Sequence, residues 1–138
     1  MKKQVLILLL VLVAGTSSFA QCDKKSVLTA GLTEYLDSSG EIRKTVEEST
    51  TIEFDSKTIV IIPGEQVMEG TITSISCDWK TAYKEGKTVI KSTITMGDGQ
   101  PMDVTITIEG KAGQVTLLFE ESPENRIRLT LDKFEEKK

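Results

Sequence analysis

The residues able to do chemistry in this chain are few, and the most versatile of them is missing. None of the 138 residues is His, so the commonest general base and the commonest metal ligand are both absent. Ser-His-Asp and Cys-His nucleophilic arrangements are therefore excluded. Two cysteines, Cys22 and Cys77, are too few for a zinc site built on thiolates. Asp98 between Gly97 and Gly99 hints at a calcium loop, but the alternating oxygen ligands of an EF-hand are lacking and the stretch reads as a turn. Carboxylates abound without forming marked pairs: Glu47-Glu48 and Glu120-Glu121 read as solvated edges rather than acid–base couples. The sequence predicts no catalytic residue, no cofactor, no metal and no enzyme activity.

What remains is binding chemistry. Trp79 and Tyr83 lie at the loop end of a long hairpin. Aromatic rings with a polar handle line pocket rims, or anchor a core. Glu34 and Lys44 each interrupt an otherwise apolar phase, which marks either a contact to a ligand head group or a charge that protects a sheet edge. Cys22 and Cys77 are the candidates for one disulfide in an oxidising compartment. It would close a loop worth about 3–4 kcal/mol on a chain-entropy account. The alternative is a buried thiol at Cys77 and a free one at Cys22.

These residues must be positioned by strands. From Val67 to Met96 two β-rich arms alternate, with Ile75, Cys77 and Trp79 on one face of the first and Ile90, Ser92, Ile94 and Met96 on one face of the second. Tyr83 to Lys87 makes the tip, where Gly86 can supply a positive φ. Before this hairpin, residues 26–36 fit a helix through Leu28, Leu32 and Leu36 or a strand through the same residues; the turn Asp37-Ser38-Ser39-Gly40 favours the strand. From Glu41 to Phe54 the even positions keep one phase, as a single long strand or as two around a bulge near Glu47–Ser49. Thr58 to Ile62 is apolar on both faces. After the hairpin, Met102, Val104, Ile106 and Ile108 alternate, then Val115, Leu117 and Phe119, then Ile127, Leu129 and Leu131. Phe134 breaks the phase, so the last strand ends or bulges near Asp132-Lys133, and Glu135–Lys138 reads as a disordered tail. About eight strands joined by short turns predict an all-β, antiparallel up-and-down meander that closes into a small barrel, or folds over as a sandwich.

The first twenty residues carry a different message. Lys2 and Lys3 precede an apolar run from Val5 to Ala14, and Ser18-Phe19-Ala20 places small residues where a leader is cut. This is the pattern of a secretory signal peptide over residues 1–20, followed by one domain over 21–138. The apolar run is too short to span a bilayer, so no integral membrane segment is expected after cleavage. Gln21 stands where a lipobox needs a small residue before Cys22, which favours a periplasmic or secreted protein over a lipid-anchored one. Without Lys2 and Lys3, 15 basic side chains face 21 acidic ones, a net charge of −6 against −4 for the whole chain. With no basic cluster, nucleic acid is not an expected partner; no protein partner is indicated.

The meander from Ile42 to Leu131, with its unbroken series of short hairpin turns, resembles the small secreted lipocalin-like (calycin-type) β-barrel proteins of Gram-negative bacteria. The Gly-x-Trp signature near the first strand of true lipocalins is absent, the nearest stretch being Gly31-Leu32-Thr33-Glu34-Tyr35. The resemblance implies binding of a small apolar molecule within the barrel, without catalysis. Only six aromatic residues follow the leader (Tyr35, Phe54, Trp79, Tyr83, Phe119 and Phe134), and an eight-stranded barrel either holds one small ligand or is filled by its own side chains. The expected function is thus a non-enzymatic exported binding protein for a small apolar or amphipathic ligand. The alternative is a cell-envelope interaction module with a packed interior.

Overall fold

In the computed structural model, residues 24–95 and 99–137 are described. The predicted leader, Cys22, Met96 and the Gly97-Asp98 part of the following loop lie outside the described residues. The chain forms strands β1 (Ser26–Leu36), β2 (Ile42–Phe54), β3 (Thr58–Pro63), β4 (Met68–Thr81), β5 (Glu85–Thr95), β6 (Pro101–Lys111), β7 (Gln114–Ser122), β8 (Asn125–Thr130) and β9 (Lys133–Glu136). Each pairs antiparallel with its neighbour in sequence from β1 to β8. β8 returns to β1 through Thr33↔Leu129 to Leu36↔Arg126, and this closes the barrel. The sandwich alternative does not apply.

β8 and β9 behave as one stave with an interruption. The chain breaks its ladder at Leu131-Asp132, where Leu131 N–H still donates to Val115 C=O (2.9 Å) and Asp132 N–H to Thr29 C=O (2.8 Å). β9 then pairs with the first part of β1, Ser26↔Glu136 to Thr29↔Lys133. The tail expected to be disordered is therefore a strand through Glu136, corrected by a ladder that its charged composition conceals. Lys137 Nζ adds an ion pair to Glu53 at 2.7 Å.

Alternation builds the core. Leu28, Ile90, Ile94, Ile106 and Ile108 have no solvent exposure, and Ile52, Ile59 and Leu117 almost none. All are branched aliphatics of strands with one face turned inward, the pattern a half-buried pleated surface favours. In β1 the phase changes at Gly31. Leu28 and Ala30 are buried before it and Thr33 after it, while Leu32 is exposed. The ladder to β2 shifts between Ala30 and Leu32, with Glu48 and Ser49 as the added length on β2. The bulge expected near Glu47–Ser49 is thus present within one continuous strand.

The turns use side chains as well as backbone. Asp55 Oδ1 accepts from Lys57 N–H (2.7 Å) and Thr58 N–H (2.8 Å) and so fixes the β2–β3 turn. Those two amides, Lys57 first, hold its carboxyl below the ordinary value of 3.8. A depressed carboxyl contributes stability above its ordinary pKa and loses it as pH falls through the folded one. Asp55→Ala should cost about 1 kcal/mol at neutral pH, as loss of a side-chain cap does. The gap to the parent should narrow in urea titrations as pH drops below 3.8; a gap independent of pH would contradict the assignment.

Candidate functional site

The two ends of the barrel are built differently. One end, where β2 turns into β3, β4 into β5 and β6 into β7, is plugged by aromatic rings. Trp79 on β4 is 4% exposed, and its Nε1–H donates to Thr88 Oγ1 on β5 at 2.6 Å. Phe134 from β9 packs on it with ring centres 5.4 Å apart, and Tyr83 meets Phe134 edge-on at 4.8 Å. The Tyr83 hydroxyl lies 3.5 Å from Ser26 Oγ. Two glycines make room: Gly86 faces Gly110 across β5 and β6, and the indole spreads over both, so that a Cβ on Gly110 would lie 2.9 Å from Trp79 Cζ3. Gly86 takes the positive φ expected of it (148), but as the second residue of β5, and Tyr83 takes a further one (63) in the turn itself.

Toward the other end the staves frame a half-open cavity of about 190 Å³. Its walls come from the later half of β1 (Thr33, Tyr35), the middle of β2 (Glu48, Thr50, Ile52), the end of β3 (Ile61, Pro63), the entry to β4 (Gln66, Met68), and β7 and β8 (Leu117, Phe119, Ile127, Leu129). Aliphatic and aromatic carbon dominates, with a handful of polar groups, as in small-molecule sites. Thr50 is buried, and its hydroxyl has no hydrogen-bond partner among the described residues. The Glu48 carboxylate reaches over the β3–β4 turn, where a Cβ on Gly64 would lie 3.0 Å from its Oε1. Broader depressions of about 430 and 580 Å³ lie on the outer surface against threonines such as Thr71, Thr73, Thr93 and Thr105, and one is bridged by Thr93 Oγ1 donating to Asp103 at 2.7 Å.

The residues singled out from sequence fall in three places. Trp79 and Tyr83 are brought together, but in the plug rather than around the cavity. Glu34 stands on the outer face, because the phase change at Gly31 turns it outward, and it pairs with Arg128 at 3.0 Å across the closing seam. Lys44 comes to the rim: it pairs with Tyr35 in the β1–β2 ladder, and its Nζ sits 5.9 Å from the centre of the Tyr35 ring, which lines the cavity. Cys77 is half-buried on β4, and Thr88 Oγ1 lies 3.5 Å from its Sγ; its expected disulfide partner Cys22 is outside the described residues. Glu48 and Thr50 were not singled out as site residues. Their even-numbered phase in β2 was the available signal, since every other inward position there follows it.

At the mouth, the β1–β2 turn is pinned by Asp37, which accepts from Ser39 Oγ (2.7 Å) and from the Ser39 and Glu41 amides (2.9 Å each). These bonds, the Ser39 hydroxyl first, lower its carboxyl from the ordinary 3.8. Among the described residues no group of His, Cys, Asp and Glu is arranged to hold a metal, and no helix is long and apolar enough to cross a membrane. Comparison with protein-family models, with curated proteins and with solved structures finds no match to this chain.

Proposed function

We propose that this protein is a non-enzymatic, exported binding protein, periplasmic or secreted, which holds one small apolar or amphipathic molecule in the open half of a lipocalin-like barrel. The observation that carries the reading is the 190 Å³ cavity with apolar walls, which supports it over the alternative of an interaction module with a packed interior. Space of this size matches an engineered cavity of about 150 Å³ that binds benzene. It accommodates a hydrocarbon of roughly six to seven carbons, at about 30 Å³ per group by analogy with the volume of a water. At about 0.8 kcal/mol per buried methylene, a seven-carbon chain supplies about 5 kcal/mol before the cost of association. Affinities for simple alcohols are then about millimolar or weaker.

Titration calorimetry and ligand-observed NMR with n-heptanol test this. Saturable binding to the parent is expected, and a loss of at least about tenfold in Met68→Trp/Ile127→Trp, which fills the cavity from its rim with two indoles. A parent that does not bind saturably, or a filled variant that binds as well, would remove the proposal, provided the variant keeps the parent's circular dichroism. The Cys22–Cys77 bond belongs to the same reading, because an oxidising compartment permits it. A thiol count on protein recovered from its host checks it.

A further inference from the structure

Two charged residues of β2 stand near the mouth, and their situations differ. Lys44 is exposed, with its ammonium over the Tyr35 ring. Glu48 lines the cavity itself and is half-buried. Among the described residues its carboxylate has neither an ion pair nor a side-chain hydrogen bond. Four residues of strand separate their Cα atoms by roughly 13 Å, and none of the ion pairs among the described residues joins them. Lys44 therefore does little to neutralise Glu48. Two residues along the same face, the Thr50 hydroxyl is likewise without a partner. A polar atom buried without a bond is costly, and a wall holding such an atom beside an unpaired carboxylate is incomplete until something donates to it.

We infer that the cavity selects amphiphiles with a cationic amine head, a primary alkylammonium or arylalkylammonium of about seven carbons, whose body lies among the aliphatic side chains and whose ammonium donates to Glu48. The inference rests on the proposed function and narrows it. A buried ammonium needs a paired acceptor to offset its lost hydration, and Glu48 is the acidic residue of the wall. An anionic head of the same length would meet that carboxylate with like charge.

Calorimetry with n-heptylamine, n-heptanol and n-heptanoate separates the two claims. In the parent, the amine should bind about tenfold more tightly than the alcohol, as a charge-assisted hydrogen bond allows, and the carboxylate more weakly than both. In Glu48→Gln the preference for amine over alcohol should collapse to about onefold. Glu47→Gln, an exposed neighbour on the other face of β2, should leave the preference intact and so controls for net charge. Equal binding of amine and alcohol by the parent, or a preference that survives Glu48→Gln, overturns the inference and leaves the cavity's role standing. Failure of all three probes to bind overturns both.

Discussion

Trp79→Ala is expected to lose about 3–5 kcal/mol of stability, the range for removing a large aromatic from a core. The side chain is 4% exposed and joins strands distant in sequence: β4 carries it, Thr88 on β5 receives its N–H, and Phe134 on β9 leans on its ring. Its removal opens the plug and unsupports β9, whose backbone ladder to β1 is only four residue pairs long. Against the 5–15 kcal/mol that holds a typical domain together, this is a large share. Trp79→Phe, which keeps much of the packing and loses the hydrogen bond, should cost about 1–2 kcal/mol. Urea midpoints by far-ultraviolet circular dichroism measure both. An alanine variant within about 1 kcal/mol of the parent would show that the plug is ornamental.

Gly86→Ala is expected to be as damaging, for a different reason. Its φ of 148 lies where only glycine rests easily. An added Cβ would run into Trp79 Cα and lie 2.5 Å from Asp78 C=O, both backbone atoms of the neighbouring strand. No rotamer relieves that overlap; β4 and β5 would have to part. Conformational strain of about 1–3 kcal/mol and a steric term of similar size predict a loss of at least about 3 kcal/mol. Because the obstruction is backbone, removing the indole as well should not restore stability. Gly113→Ala is the control, since Gly113 has a positive φ of 81 but open space around it. It should cost about 1 kcal/mol. If the two alanine variants unfold at the same urea concentration, the close approach at Gly86 carries no weight.

Periodicity made most of this barrel legible from sequence. Ile90, Ser92 and Ile94, then Val104, Ile106 and Ile108, are buried as their alternation implies, and short connections forced neighbours in sequence to be neighbours in space. The failures are local. Gly31 changes the phase of β1, so Leu32 and Glu34, which read as inward, face outward, and Thr33 and Tyr35 take the inside. A bulge near Glu47–Ser49 is legible on β2, but only the register of the β1–β2 pair shows that the phase changes on β1. β9 was missed because Lys133-Phe134-Glu135-Glu136 has one apolar residue, and its ladder to β1 depends on where β8 breaks. Trp79 and Tyr83, neighbours at the end of one hairpin, both pack on Phe134, but sequence does not say at which level of a barrel a ring will sit. The cavity was illegible for the same reason: Thr33, Glu48 and Phe119 become neighbours only once strand register and closure are fixed.

Lys137 N–H donates to Lys25 C=O at 2.8 Å, so the two ends of the described chain leave the barrel side by side beneath the aromatic plug. Any attachment made through either terminus would therefore act as a stalk on the sealed base. The molecule would stand like a cup on its foot, with Tyr35, Glu48 and Gln66 held away from whatever carries it and free to meet arriving molecules.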